Sequence, residues 1–361
     1  MNKKHAVVAM SGGVDSSVTA ALLKDRGFRV TGVTMKIWNG EEVPGLQSRH
    51  ACYGPGEAED IKDTQKVAEK LGIDLHVLDL SEEYRKNVLD YFNQEYLSGR
   101  TPNPCLMCNR SIKFQALIEK ALNAGVEFDY FATGHYSRIE YNKNLDRYLL
   151  KKARDTGKDQ SYFLAFLSQN QLGHTLFPVG EYTKQEVRNL SRKFDLDIDE
   201  KPESQDFIAA GYRSLLTDTQ PGKIINKRGE IIGEHVGIAN YTIGQRKGLG
   251  ISGKEPLYVT DIEPDTNTIT VSSKEDVYST ELIARNLNWI EIEKLETRME
   301  IRAKIRYSHE EAEATITPFD AERIQVKFKE PQMAITPGQA VVFYDDDIVL
   351  GGGIIERSGG E

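Results

Sequence analysis

Two short stretches of this 361-residue chain carry residue types able to do chemistry. The first, "HAVVAMSGGVDSSVTAALL", runs from His5 to Leu23 and reads as a strand, a glycine turn and a helix. The second, "TPNPCLMCNRSIKF", runs from Thr101 to Phe114 and holds Cys105 and Cys108; Cys52 is the only other cysteine. In the first stretch, Gly12 and Gly13 let the backbone turn tightly and approach a ligand with no Cβ in the way. Amides of the next helical turn then point at an anion, which the helix dipole favours. Ser11, Ser16 and Ser17 add hydroxyls. The Lys-Ser/Thr pair of a Walker A loop and the third glycine of a dinucleotide fingerprint are both missing. The bland alternative is an inert turn.

The thiols admit several chemistries. Three cysteines cannot all pair with one another, and a disulfide framework does not suit a reducing compartment. A structural zinc site takes four ligands. A [4Fe–4S] cluster also usually takes four cysteines, and three leave one iron open. Thiols in Cys-x-x-Cys can instead carry and resolve a persulfide, and buried inert cysteines are a further reading.

The elements that must position these residues follow from periodicity. Residues 1–200 alternate short apolar runs with helical patterns. "HAVVAM", "RVTGVTM", "DLHVLDL" and "FDYFATG" read as strands. "DSSVTAALLKDRG", "EAEDIKDTQKVAEKLG", "EEYRKNVLDYFNQEYL" and "SIKFQALIEKALNAG" read as helices. That alternation predicts an α/β fold with a doubly wound parallel sheet. Ligands in such sheets bind at the carboxyl ends of strands, so the glycine turn and the segments after Met35 and Thr133 are expected at one edge. After Lys201 the runs shorten. "KIINKRGEIIGEH" and "LYVTDIEPDTNTITVSS" read as hairpins, and the last runs suit a small barrel. The expected domains are 1–203, a small central β domain over 204–279 and a C-terminal β-barrel over 280–361.

Composition narrows the class. The formal net charge is −9, which by itself argues against a nucleic-acid partner. The charge is uneven, however: residues 101–170 carry ten Lys and Arg against seven Asp and Glu, and residues 221–260 carry six against three. A local basic surface on an acidic protein fits these counts, as does an ordinary mixed surface. No apolar run reaches the ~18 residues of a membrane span, so no membrane partner is expected. Met1-Asn2-Lys3-Lys4 leads straight into a strand with no apolar leader, and a cytoplasmic address is expected.

The "SGGVDSS" turn resembles the PP-loop of the ATP pyrophosphatases, which split ATP between the α and β phosphates and adenylate a substrate. Beyond it, the chain resembles the tRNA-specific 2-thiouridylases from end to end. The matching blocks include "AEDIKDTQKVAEKLGI", "GRTPNPCLMCNRSIKF", "FATGHYSR", "KDQSYFLAFLSQNQL", "LFPVGEYTKQEVR", "KPESQDF", "YTIGQRKGLGI", "KIRYSHEEAEA" and "ITPGQAVVFYD". The resemblance implies ATP-dependent replacement of the C2 oxygen of the wobble uridine of tRNA by sulfur, with Mg2+ on the pyrophosphate. It implies ATP contacts from Ala9, Met10, Ser11, Gly12, Gly13, Val14, Asp15, Ser16, Met35 and Gly134, with Asp15 helping to hold the metal. It implies tRNA contacts from His135, Lys158, Asp159, Gln160, Arg306, Tyr307 and Gln339, and places Asn103, Pro104 and Cys105 beside the target base. Each has a plainer reading: Met35 as core, Gly134 as a turn glycine, His135 as a satisfied polar residue, and Lys158 and Arg306 as solvated charges.

The chain departs from the family at its thiols. Well-known members carry Asp-x-x-Cys where this chain has Cys105 and Cys108, and a second Cys where it has Ile208. A disulfide cycle between Cys108 and residue 208 is therefore excluded. Cys105, Cys108 and Asp15 are the expected catalytic residues, and Cys52, Cys105 and Cys108 the expected ligands of a [4Fe–4S] cluster whose open iron carries hydrosulfide. Persulfide transfer through Cys108 and Cys105 is the alternative, as is thiolation of another RNA base, cytidine or a ribosomal uridine. The sulfur donor is free sulfide or a persulfide-carrying protein.

Overall fold

The computed structural model describes residues 3–40, 52–198, 201, 216, 220–251 and 255–359. Ile208 and the "PESQDF" block lie outside the described residues. The chain divides into two compact units. One comprises Met1–Val88, Pro104–Ser214 and Asp347–Val349; the other comprises Leu89–Asn103, Leu215–Asp346 and Leu350–Glu361.

The first unit is built on a five-stranded parallel sheet. Its strands are β1 (His5–Ala9), β2 (Arg29–Lys36), β3 (Asp74–Asp79), β4 (Tyr130–Thr133) and β7 (Thr175–Leu176), in the order β3-β2-β1-β4-β7. Central β1 pairs on both sides, Val8 opposite Gly32 and opposite Ala132. Ala6, Val7 and Val8 are fully buried, as an apolar run covered on both faces requires. Helix α1 (Val14–Asp25) follows β1 directly and buries Val18, Ala21, Leu22 and Leu23. Helix α2 (Glu57–Leu71) buries Val67, Ala68 and Leu71 at helical spacing. It stops at Gly72, whose φ of +59° is the left-handed conformation that glycine enters without a Cβ penalty. Between β4 and β7 lies a hairpin of β5 (Ser137–Asn142) and β6 (Arg147–Lys152). Helix α3 (Lys184–Lys193) begins with a capping box between Thr183 and Glu186.

The segment carrying Cys105 and Cys108 is helical. A helical turn, Pro104–Met107, runs into π-type winding over Cys108–Ala116 and an α-helix over Leu117–Asn123. Pro104 at the start suits this, because its missing N–H has no partner in a first turn.

The second unit holds the expected β structure. Hairpins β8/β9 (Gly222–Asn226, Ile231–His235) and β10/β11 (Tyr258–Glu263, Thr268–Ser272) are antiparallel within themselves. They join through a parallel β11–β8 pairing with Ile269 opposite Ile224. Strands β12 (Tyr278–Trp289), β13 (Met299–Lys304), β14 (Ala312–Pro318), β15 (Ile324–Met333), β16 (Ala340–Asp345) and β17 (Ile348–Ser358) run in the order β12-β15-β14-β13-β16-β17. Pairing of β12 with β17 closes the barrel around buried Leu282, Ile316, Val326, Val341 and Phe343. Closure removes free sheet edges.

One close approach in the first unit is testable. A Cβ on Gly180 would stand 1.7 Å from the Ser137 carbonyl oxygen, so backbone presses on backbone. Gly180→Ala is expected to destabilise the protein by about 3 kcal/mol, read as a lower urea midpoint. An unchanged midpoint would show that this approach relaxes freely.

Candidate active site

The carboxyl end of β1 delivers the glycine turn to the first turn of α1. Gly12 has φ +72°, and a Cβ there would sit 2.6 Å from the Asp60 carbonyl oxygen. Both facts demand glycine. Gly134, after β4, presses the same helical turn from another side: its Cβ would meet the Ser16 nitrogen at 2.6 Å and the Asp15 carbonyl carbon at 2.7 Å. Gly134 is thus required by packing, whatever it touches besides. The serine hydroxyls shape the turn. Ser16 and Ser17 donate to the Gly13 carbonyl at 3.2 and 2.9 Å, and the Ser11 N–H donates to Ser16 Oγ at 3.2 Å. Ala9 ends β1, and Met10 and Val14 are buried. Met35 is half-buried near the end of β2, opposite Leu78. Just beyond it, the Glu57 carboxylate accepts the Ile37 and Trp38 N–H groups at 2.6 and 3.1 Å. Burial pushes that carboxyl above its usual range.

Asp15 has two partners that sequence reading did not single out. Lys184 Nζ lies 2.8 Å from both carboxylate oxygens, and the Tyr136 hydroxyl donates to Oδ1 at 2.8 Å. The Lys184 ammonium also sits 5.7 Å from the Tyr136 ring centroid. Lys184 occupies the first position of α3, and its backbone N–H donates to Asp155 Oδ2 at 2.9 Å. Its signal was present in the block "LFPVGEYTKQEVR", but its partner lies 169 residues away and only the fold reveals it.

Most of the residues matched to RNA contact in this unit make internal bonds. Asp159 accepts the Ala153 N–H at 2.9 Å and the Ser161 hydroxyl at 2.7 Å. Gln160 Oε1 accepts the Tyr136 N–H at 2.9 Å, so it braces the residue that reaches Asp15. Lys158 is half-buried, its N–H donating to the Asp155 carbonyl at 3.0 Å. His135 is 9% exposed, with Nδ1 2.8 Å from Thr133 Oγ1 and its ring edge-on to Phe177. Burial, helped by the nearby Lys113 charge, holds His135 well below the usual imidazole range. It is therefore neutral near pH 7 and offers no charge to a phosphate.

The thiols gather around an aromatic pair. Tyr53, next to Cys52, stacks on Tyr84 at 5.5 Å with 7° between the rings, and both are buried. Burial raises the Tyr84 phenol well above its usual range, and Cys108, Cys52 and Cys105 push the same way. Three sulfurs thus share one electrostatic neighbourhood. Among the described residues, no group of three or more His, Cys, Asp or Glu is arranged to hold a metal ion. Within one helical turn the pair has different surroundings, Cys105 exposed and Cys108 half-buried. Burial pushes the Cys108 thiol up to about 11, with Lys113 opposing and Cys52 reinforcing. Asn109, 3% exposed, donates to the Phe163 carbonyl at 3.3 Å, while its buried Oδ1 has no hydrogen-bond partner among the described residues.

In the second unit, Arg306 donates to the Ala334 carbonyl at 3.1 Å and to Thr336 Oγ1. Tyr307 is 41% exposed, with Lys304 Nζ 5.4 Å from its ring centroid. Gln339 donates to the Thr101 and Pro102 carbonyls, each at 2.9 Å. Asn103 is buried. Pro104, which belongs to the first unit, is half-buried.

A central parallel strand running through a glycine turn into a helix N-terminus, with an acid in the first turn, defines a PP-loop nucleotide-binding fold. Family models match residues 4–209 as a tRNA methyl transferase HUP domain, 213–273 as a tRNA methyl transferase PRC-barrel domain and 279–355 as an aminomethyltransferase beta-barrel domain. The tRNA-specific 2-thiouridylase MnmA 1 of Caldanaerobacter subterraneus subsp. tengcongensis is 51% identical, over 98% of each chain. The tRNA-specific 2-thiouridylase MnmA of Acetivibrio thermocellus is 46% identical, over 99% of this chain and 100% of its own. The same-named protein of Clostridium perfringens is 45% identical, over 99% of each. The chain belongs to the tRNA-specific 2-thiouridylase family. A 4-thiouridine synthetase–RNA complex with bound ATP gives a TM-score of 0.36 at 19% identity, over 55% of this chain and 43% of that one, which adds nothing to the assignment.

The thiol surroundings make a direct prediction. With a thiol at about 11, only about one Cys108 in a thousand is ionised at pH 8. In metal-free protein, iodoacetamide should modify Cys108 at least roughly tenfold more slowly than exposed Cys105, because the thiolate is the nucleophile. The Cys108 rate should climb steeply towards pH 11, as followed by peptide mass spectrometry. Equal rates at pH 8 would contradict the burial argument.

Proposed function

We propose that this chain replaces the C2 oxygen of the wobble uridine of tRNA with sulfur, using ATP. The reading rests on one observation above others: the glycine turn with its Asp15–Lys184 pair and the three thiols around Tyr84 belong to the same compact unit. An ATP-splitting anion site and a sulfur-handling site are what thiolation needs. Family membership supports the same reading, since the matched relatives are named for it.

The turn amides and the α1 dipole bind the phosphates. Asp15 is the acid placed to share a magnesium ion with them, and Lys184 supplies a cation beside it. The uridine O2 attacks the α phosphorus. The bond to the β-phosphate oxygen breaks, pyrophosphate leaves, and the N3 proton is lost as the base becomes O-adenylated. Hydrosulfide then attacks C2, the C2–O bond breaks, and AMP leaves with the original oxygen. The hydrosulfide proton restores N3–H. Fixed amides and charges act where the phosphates develop charge, which is where preorganisation helps most. Flipping the base out of its stack is the entry requirement.

The donor chemistry of Cys52, Cys105 and Cys108 fits a [4Fe–4S] cluster, since three thiols share one neighbourhood. When bound, such a cluster would supply an open iron for hydrosulfide. The chain's own residues would supply the three thiolates, and a coordinating thiol is deprotonated outright, overcoming the raised Cys108 value. The second reading is a persulfide carried on Cys108 and resolved by Cys105, and the exposure of Cys105 favours its part in that exchange.

Anaerobically purified protein, with ATP, Mg2+, sulfide and tRNA, should form 2-thiouridine at the wobble position, detected by nucleoside mass spectrometry. It should carry iron and labile sulfide that Cys52→Ala, Cys105→Ala and Cys108→Ala each remove. Iron-free protein that stays active with sulfide would rule out the cluster. Activity only with a persulfide donor, in iron-free protein and lost in Cys108→Ala, would select the second reading, and thiolated cytidine or ribosomal RNA would move the target. Lys184→Met should slow pyrophosphate release by at least about tenfold, the size of effect expected when one group stabilising phosphate charge is removed. An unchanged rate would remove Lys184 from the site.

A further inference from the structure

The first turn of α2 meets three parts of the first unit. Glu57, its first residue, reaches across to the residues just past β2. Its Oε1 accepts the Ile37 N–H at 2.6 Å and the Trp38 N–H at 3.1 Å, and Oε2 takes the Trp38 N–H as well at 3.2 Å. Amides donating to a carboxylate make charge-assisted bonds, the stronger kind. One turn further on, the Asp60 carbonyl stands so close to Gly12 that no Cβ would fit between them. Thr64 donates to that same carbonyl at 2.8 Å, and Lys201 holds the Asp60 carboxylate at 2.9 Å. On the other side, the Glu57 N–H donates to the Gly54 carbonyl at 3.2 Å. Tyr53, the residue before Gly54, is stacked on buried Tyr84, and Cys52 precedes it. The buried residues of α2, Thr64, Val67, Ala68 and Leu71, all lie in its later turns. Its first turn therefore has no buried apolar side chain of its own to hold it.

We propose that Glu57 is a positioning residue for the site: its carboxylate ties the first turn of α2 to the end of β2, and through that turn sets both the glycine turn and Cys52. Apolar packing is non-directional, so it resists separation of a helix from its sheet better than sliding along it. Bonds aimed at two backbone amides do resist sliding. A slide of α2 would move Asp60 off Gly12 and draw Tyr53 and Cys52 with it. The end of β2, just beyond Met35, is also where the base of ATP is expected. One carboxylate thus fixes the base end, the phosphate end and a thiol relative to one another. The consequence in turnover rests on the sulfur-transfer reading, but the strut itself is a property of the protein alone.

The test separates the two. Glu57→Ala removes the strut. Glu57→Asp keeps the charge but is one methylene short of the amides. Glu57→Gln keeps Oε1, which holds both amides, and gives up only the second bond to Trp38. Without tRNA or sulfur, hydrogen exchange over residues 37–38 and 54–60 should accelerate at least tenfold in the Ala and Asp variants, with β4 unchanged. The dissociation constant of a non-hydrolysable ATP analogue should rise at least fivefold. Maleimide labelling of Cys52 should accelerate at least threefold relative to Cys105, which lies on another helix. Glu57→Gln should stay within twofold of wild type on all three. In thiolation assays, kcat should fall at least tenfold in the Ala and Asp variants and recover in the Gln variant. If Glu57→Ala fails to fold, as its melting curve would show, Glu57→Asp carries the same comparison. Wild-type exchange and nucleotide affinity in a folded variant would overturn the strut. So would a lower urea midpoint with none of these shifts, which would make Glu57 a stabilising contact only. A Gln variant as impaired as the Ala variant would also overturn it, by making charge rather than reach the property that matters. Wild-type protein that forms no 2-thiouridine would instead sink the functional reading and leave the exchange and labelling comparisons standing.

Discussion

The first turn of α1 is pinched between backbones, and the site is organised by that constraint. Gly12 brings the turn against the Asp60 carbonyl of α2, and Gly134 brings the end of β4 against Asp15 and Ser16. Neither position has room for a single methyl. Side chains in such a place would swell the turn and splay the amides that face an anion. The sheet order agrees with this: β1 lies between β2 and β4, so both neighbours end beside the same helical turn. Shape, before charge, makes the cradle.

Charge then sharpens it. Asp15 and Lys184 are 28% and 12% exposed, which sets their pairing apart from the many exposed ion pairs of this molecule. Exposed pairs contribute about 0.2–1 kcal/mol, whereas removing one partner of a shielded pair leaves a charge without water or counter-ion. The Tyr136 hydroxyl adds a third hydrogen bond to the carboxylate, and Gln160 holds the Tyr136 backbone. His135, between Gly134 and Tyr136, is kept neutral among aromatic rings. A segment of three residues thus combines close packing, an apolar anchor and a polar hand on the acid.

Much of the fold was legible because its signals are local. Gly27 and Gly72 ended helices where their left-handed backbones now stop them. Alternating apolar runs marked the strands of the first unit, and turn residues marked the hairpins of the second. What was not legible depends on distant partners or on winding. The parallel β11–β8 pairing joins two hairpins that periodicity treats separately. Lys184 is an ordinary helix-start lysine until the fold sets it on Asp15. Ser16 and Ser17 have the right chemistry for an anion, yet their hydroxyls close on Gly13, because a short side chain at a helix start reaches its own backbone first.

The π-type winding over Cys108–Ala116 carries one more consequence. A π turn contains one residue more than the α turn it replaces, and such turns arise as single insertions within α-helices. The wide turn absorbs the extra residue, so the helix on either side keeps its bearing. Deleting one residue within 109–116 would therefore let the segment relax to ordinary α winding without turning Cys105 and Cys108 away. The α turns that flank it have no such slack: a deletion there would rotate the residues on its two sides by about 100° relative to one another, the angle one residue subtends on a helix. Chain length is thus forgiving in this one stretch and strict in the turns beside it.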